Sequence, residues 1–161
     1  MKADAGFYVP TEGAQAQTPT PAGTFIAILG SATQGQPCSA GYYQPNAGQT
    51  SCLPADPGFY VPSTGATSQT PCATGYGSAA AATQCTINTY ILTYNGNGNT
   101  GGTAPTGATQ DYNTTIAVAS AGSLVKTNST FTGWNTAANG SGTPYAPAAT
   151  FTFTADTTLF A

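Results

Sequence analysis

A chain of 161 residues with 4% charged side chains, two lysines, no arginine and a net charge of -3 cannot supply the row of cations that phosphate neutralisation requires, so nucleic-acid binding is not expected. The lack of histidine also removes the usual general base of a hydrolytic triad. Against 21 residues of Leu, Ile, Val and Phe stand 30 threonines, 17 aromatics, 20 glycines and 12 prolines, a composition that favours short strands and turns and excludes long helices.

The fold class expected from this composition is all-β or β-rich. Phe25 to Leu29 is the longest apolar run and is too short to cross a bilayer, so no membrane insertion of this segment is expected. No apolar signal segment follows "MKAD", and the natural protein is therefore expected to be longer than this chain.

From the N-terminus, one phrase recurs. Gly6, Gly23, Gly41, Gly58 and Gly75 are separated by 17, 18, 17 and 17 residues, the fixed self-similarity of a repeat array. Behind them stand Phe7 and Tyr8, Phe25, Tyr42 and Tyr43, Phe59 and Tyr60, and Tyr76. Pro10, Pro45 and Pro62 come four places after their glycines, and Gly13, Gly30, Gly48 and Gly65 seven places after. Each unit reads as a short aromatic strand followed by a turn, and the rings are expected to stack as a ladder.

The cysteines fall at two places in this frame. Three residues before each glycine lie Ala3, Thr20, Cys38, Ala55 and Cys72; ten or eleven after it lie Gln17, Gln34, Cys52, Gln69 and Cys85. The two places are cysteine together or not at all. Of the three connectivities that four cysteines allow, a bond inside each unit accounts for the joint loss, giving Cys38–Cys52 and Cys72–Cys85. Each closes a loop of about 15 residues, a stabilisation of roughly 3 kcal/mol in the chain-entropy model. A zinc site is disfavoured because the intervals of 14, 20 and 13 residues lack the close pairs of structural zinc sites. No cofactor or metal is expected. Disulfides place the protein outside the cytoplasm, extracellular or at the cell surface. The recurring cysteine, glycine and aromatic phrase over residues 3–86 resembles the cysteine-rich ephrin-receptor-like repeats of extracellular receptors, and the resemblance implies an extended spacer.

After Cys85 the phrase disappears, so the domains are expected to be residues 1–86, five tandem repeats, and 87–161, a separate β domain. Tyr90 to Tyr94 reads as a strand and "NGNGNTGG", residues 95–102, as a hairpin or loop. Apolar alternation returns at Ile116 and Val118, around Phe131 to Trp134, and in "TFTFT", where Phe151 and Phe153 share a face; Leu159 and Phe160 close in a last strand. The phrases "YILTYNGNG", "FTGWNTAANGSGTPY" and "FTFTADTTLFA" make residues 88–161 resemble the Listeria-Bacteroides repeat, the internalin B-repeat type module. That resemblance implies a small β-grasp-like domain carried in tandem by large bacterial surface proteins. The chain departs from the pattern at Asn128 and Ser129, where a reshaped loop is expected.

Candidate ligand contacts are Tyr43, Tyr60 and Trp134, since an exposed ring can stack on a sugar; for Trp134 a core position against Phe131, Phe151 and Phe153 is the favoured reading. Asp4, Glu12, Asp56, Asp111 and Asp156 show no paired motif of the glycosidase kind, and no enzyme activity is expected. The asparagine and glycine run lacks the carboxylates of a calcium loop. Lys126 raises the question of an isopeptide bond to an asparagine. Asn113, Asn128 and Asn139 are glycosylation sequons, used only in a eukaryotic secretory pathway. The expected function is a structural stalk, spacer or adhesive module within a larger, bacterial surface protein, with the other modules of that protein as partners. The alternative is a module that binds a polysaccharide or a surface protein through exposed aromatics. Self-association into filaments and ice binding rank below these.

Overall fold

Each aromatic phrase folds into an antiparallel hairpin. In the computed structural model, which describes residues 1–161, β1 (Phe7–Tyr8) pairs with β2 (Thr18–Pro19), β3 (Thr24–Phe25) with β4 (Gln36–Pro37) and β5 (Tyr42–Tyr43) with β6 (Leu53–Pro54). The series continues with β7 (Phe59–Tyr60) against β8 (Thr70–Pro71) and β9 (Tyr76–Gly77) against β10 (Thr86–Ile87). The glycine ahead of each first strand has φ between 80° and 87°, a backbone conformation that other residues reach only at a cost. Proline in the second strand is tolerated because that strand is an edge and need not donate to a further neighbour.

Consecutive hairpins are joined by a set of backbone hydrogen bonds that recurs at all four junctions. The N–H groups of Gly6, Gly23, Gly41 and Gly58 donate to the carbonyls of Ile26, Gln44, Val61 and Ser78. Three residues on, those of Val9, Ile26, Gln44 and Val61 donate to Ser31, Gln49, Ala66 and Ala82. In return Gly30, Gly48, Gly65 and Ala81 donate to Ala3, Thr20, Cys38 and Ala55. A repeat too small to bury its own backbone thus satisfies it on its neighbours, as solenoid arrays do. Two columns fill the interior. One holds Ala3, Thr20, Cys38 and Ala55, the other Ile26, Gln44 and Val61, all buried. Gln44 is satisfied there: its Nε2 donates to the Ser51 carbonyl at 2.8 Å and its Oε1 accepts from the Asn46 N–H at 3.1 Å.

Both disulfides are present, Cys38–Cys52 and Cys72–Cys85, and no cysteine is free. Cys38 follows the last strand of the second hairpin, whereas Cys52 precedes the last strand of the third, so each bond ties one hairpin to the next. Replacing Cys72 and Cys85 by serine is expected to destabilise the fifth hairpin by about 3 kcal/mol, read as faster amide exchange over residues 72–86 in the otherwise oxidised chain.

Two expectations need correction. The place equivalent to Cys52 in the second unit is Gly35, not Gln34. That unit carries one extra residue, so Thr24 pairs with Pro37 and Phe25 with Gln36, one place later than in the other hairpins. Nor do the repeat aromatics form a stacked ladder, because the ring pairs of the molecule all lie beyond residue 89. The Phe7 ring lies instead beside the backbone of Gly48, where an added Cβ would be 3.6 Å from it and 3.5 Å from Pro19.

The chain divides between Thr86 and Ile87 into two units. The second is built on a five-stranded sheet of order β12-β11-β17-β14-β15, from β11 (Thr89–Asn95), β12 (Ala108–Asp111), β14 (Trp134–Asn135), β15 (Pro144–Tyr145) and β17 (Thr157–Phe160). The first and last strands of the unit, β11 and β17, run parallel at its centre, Leu92 opposite Thr157 and Asn95 opposite Phe160. This grasp-like pairing carries no helix. A second sheet of β13 (Thr115–Ala117) and β16 (Thr150–Thr152), with Ile116 opposite Phe151, packs instead. Alternation along β11 buries Leu92 and Tyr94 and exposes Ile91 and Thr93, and the core closes with Val118, Trp134, Phe151, Phe153 and Leu159. Asn128 has φ of 59° and the Ser129 N–H bonds back to Lys126, so the departure noted in the sequence is a tight turn.

Candidate functional site

In the first unit each disulfide floors a shallow cleft between an aromatic ring of one hairpin and a tyrosine of the next. Phe25 and Tyr42 flank Cys52, with Ser39 and Ser51 on the rim, around about 290 Å³. Tyr60 and Tyr76 flank Cys85, with Ala73 and Gln84 on the rim, around about 340 Å³. The two clefts are equivalent by position, because Phe25 and Tyr60 stand two places after their glycines and Tyr42 and Tyr76 one place after theirs. Tyr42 and Tyr76 are 40% and 44% exposed, so each cleft has one tyrosine open to water.

Of the predicted ligand contacts, Tyr60 belongs to a cleft. Tyr43 is half-buried and pairs across its hairpin with Leu53. Trp134 has to be withdrawn as a ligand contact: it is 2% exposed, with Tyr94 at 4.7 Å and Phe131 at 5.1 Å between ring centroids. Its indole Nε1–H donates to the Ala119 carbonyl at 2.8 Å, so the polar end of the ring is satisfied inside the core. Sequence reasoning missed Tyr42 and Tyr76 as the exposed members of the series. Their signal was present, since the tyrosine immediately after the glycine occurs only in the two cysteine-bearing units.

The asparagine run ties the second unit together. Asn97 Nδ2 donates to the carbonyls of Ala138 and Ala161, and Asn99 Nδ2 to those of Gly101 and Gly102. Lys126 Nζ donates to the backbone carbonyl of Asn97 at 2.9 Å. A cavity of about 530 Å³ lies beside it, lined by Gly96, Asn99, Leu124 and Phe131. Asp156 accepts from the Ile91 N–H, and Asp4 and Asp56 are engaged by glutamines of their own units. Asn113, Asn128 and Asn139 are all exposed. No helix of the structure is long and apolar enough to cross a membrane.

Comparison with known proteins matches both parts of the chain. Residues 90–161 match the model of the Listeria-Bacteroides repeat domain, and residues 23–72 that described as tyrosine-protein kinase ephrin type A/B receptor-like. A protein of Evansella cellulosilytica, provisionally described as a Gly-rich membrane protein, is 42% identical over 79 residues, which are 48% of this chain and 9% of that relative. The chain therefore spans less than a tenth of the relative it matches. A repeat module and a cysteine-rich module in series are what the chain is similar to, and they fit a structural or adhesive extracellular module.

Proposed function

We propose that the chain is a non-enzymatic stalk or spacer segment of a larger protein on a bacterial surface, acting outside the cytoplasm with the neighbouring modules of that protein as its partners. The observation that carries this reading is the triplet of backbone hydrogen bonds repeated at every junction of the first unit. Such an array holds its form by nearest-neighbour contacts and lengthens without needing a larger core. Disulfides at two of the units add rigidity that an oxidising environment preserves. Small-angle scattering of residues 1–86 is expected to give the profile of an elongated particle; the profile of a compact globule for that unit overturns the proposal.

A second reading rests on the paired clefts. Two equivalent aromatic-walled depressions, each floored by a disulfide, suit the flat faces of neutral sugar rings, which stack on aromatics without needing charge. Binding on a glycan array that is lost in both Tyr42→Ala and Tyr76→Ala supports recognition over spacing. An array signal unchanged by either substitution removes the reading.

A further inference from the structure

The place that a disulfide occupies in units three and five is filled differently in the other three. In the first unit Gln17 replaces the second cysteine. Its Oε1 accepts from the Asp4 N–H at 2.7 Å, and its Nε2 donates to the Asp4 carboxylate at 2.8 Å. In the fourth, Gln69 does the same with Asp56, at 2.7 and 2.6 Å. In the second, buried Thr20 stands at the first-cysteine place. Its Oγ1 accepts from the Gly35 N–H at 3.1 Å and, because Thr24 Oγ1 already donates to the Pro21 carbonyl, donates its own proton to Thr24 Oγ1. Asp after the first place and Gln at the second occur together, in units one and four alone. The pairing is as strict as that of the cysteines.

We infer that Asp4–Gln17 and Asp56–Gln69 are thiol-resistant locks equivalent in position to the disulfides, so that the array responds to reductant unit by unit rather than as a whole. A dithiol such as dithiothreitol gives two electrons and two protons to each disulfide, leaving two cysteine thiols and its own cyclic disulfide. The covalent tie is then gone at Cys38–Cys52 and Cys72–Cys85. The reciprocal amide and carboxylate pairs contain nothing that a thiol can reduce, and neither do the backbone hydrogen bonds that join their units to the neighbours. Units three and five loosen while one and four keep their register.

The test is amide exchange of the full chain, oxidised and then reduced and alkylated. Reduction is expected to accelerate exchange over residues 38–54 and 72–86 while residues 3–19 and 55–71 keep most of their protection. Gln69→Ala is expected to raise exchange over 55–71 about five- to tenfold in the reduced chain, since two hydrogen bonds are lost, one of them to a charged group. In the oxidised chain, where the disulfides hold the flanking hairpins, its effect is expected to be smaller. The double substitution Ala55→Cys and Gln69→Cys is expected to close a third disulfide, seen as a mass lower by two hydrogens, and to make unit four thiol-sensitive like its neighbours. Uniform loss of protection across residues 1–86 on reduction overturns the inference, as does a reduced Gln69→Ala chain that exchanges like the reduced parent.

Discussion

Gly41→Ala is expected to destabilise the repeat array by about 2–5 kcal/mol, whereas Gly58→Ala, the same change at the same place one unit on, is expected to cost only about 1–2 kcal/mol. Both glycines have positive φ, +87° and +83°, and the left-handed region costs an L-residue roughly 1–2 kcal/mol in either case. They differ in what a side chain would meet. A Cβ on Gly41 would lie closer than 3.0 Å to the backbone carbonyl of Ala81, two units further along, while a Cβ on Gly58 meets nothing within 4 Å. The obstacle at Gly41 is main chain fixed by the Ala81 to Ala55 hydrogen bond, so it cannot turn aside as a side chain would, and overpacking adds roughly 1–3 kcal/mol. Thermal unfolding of the two variants, followed by circular dichroism, separates the contributions. Equal losses in the two variants refute the idea that close backbone approach between alternate units limits what the repeat tolerates.

Trp134→Ala is expected to remove about 3–5 kcal/mol from the second unit, enough to leave a domain of this size largely unfolded. The indole is the largest fully buried side chain there and bridges the two sheets: it sits on β14, packs on Tyr94 of β11 and hydrogen-bonds to Ala119, two residues past β13. Truncation opens a cavity lined by Tyr94 and Phe131 and also leaves the Ala119 carbonyl without its donor. Trp134→Phe keeps a ring but not the N–H. It is expected to cost less, the part due to the orphaned carbonyl being about 1–3 kcal/mol. Urea unfolding read by amide exchange over residues 87–161 checks both. An alanine variant as stable as the parent would mean that the ring is not the keystone of this core.

The sequence by itself determined whatever is local in the chain. The 17-residue period, the positive-φ glycines, the aromatic strands and the joint presence of cysteines all follow from residue types at fixed offsets, and the pairing Cys38–Cys52 and Cys72–Cys85 could be drawn from that joint presence. In the second half, "YILTYN" and "TFTFT" announced their strands by alternation. Only the tertiary structure decided matters of register and depth. The extra residue that puts Gly35 rather than Gln34 at the second-cysteine place becomes visible once Thr24 pairs with Pro37, because an insertion can be absorbed anywhere in a loop until strand pairing fixes it. The aspartate and glutamine lock joins residues 13 apart in sequence that come together only when the hairpin closes. Ala108–Asp111 and Pro144–Tyr145 are strands with neither alternation nor strong propensity, recruited by the edges of β11 and β14, which need hydrogen-bond partners. Whether Trp134 faced water or the core was likewise settled by the sheet packed over it, since one aromatic residue has the same local signature on either side of a strand.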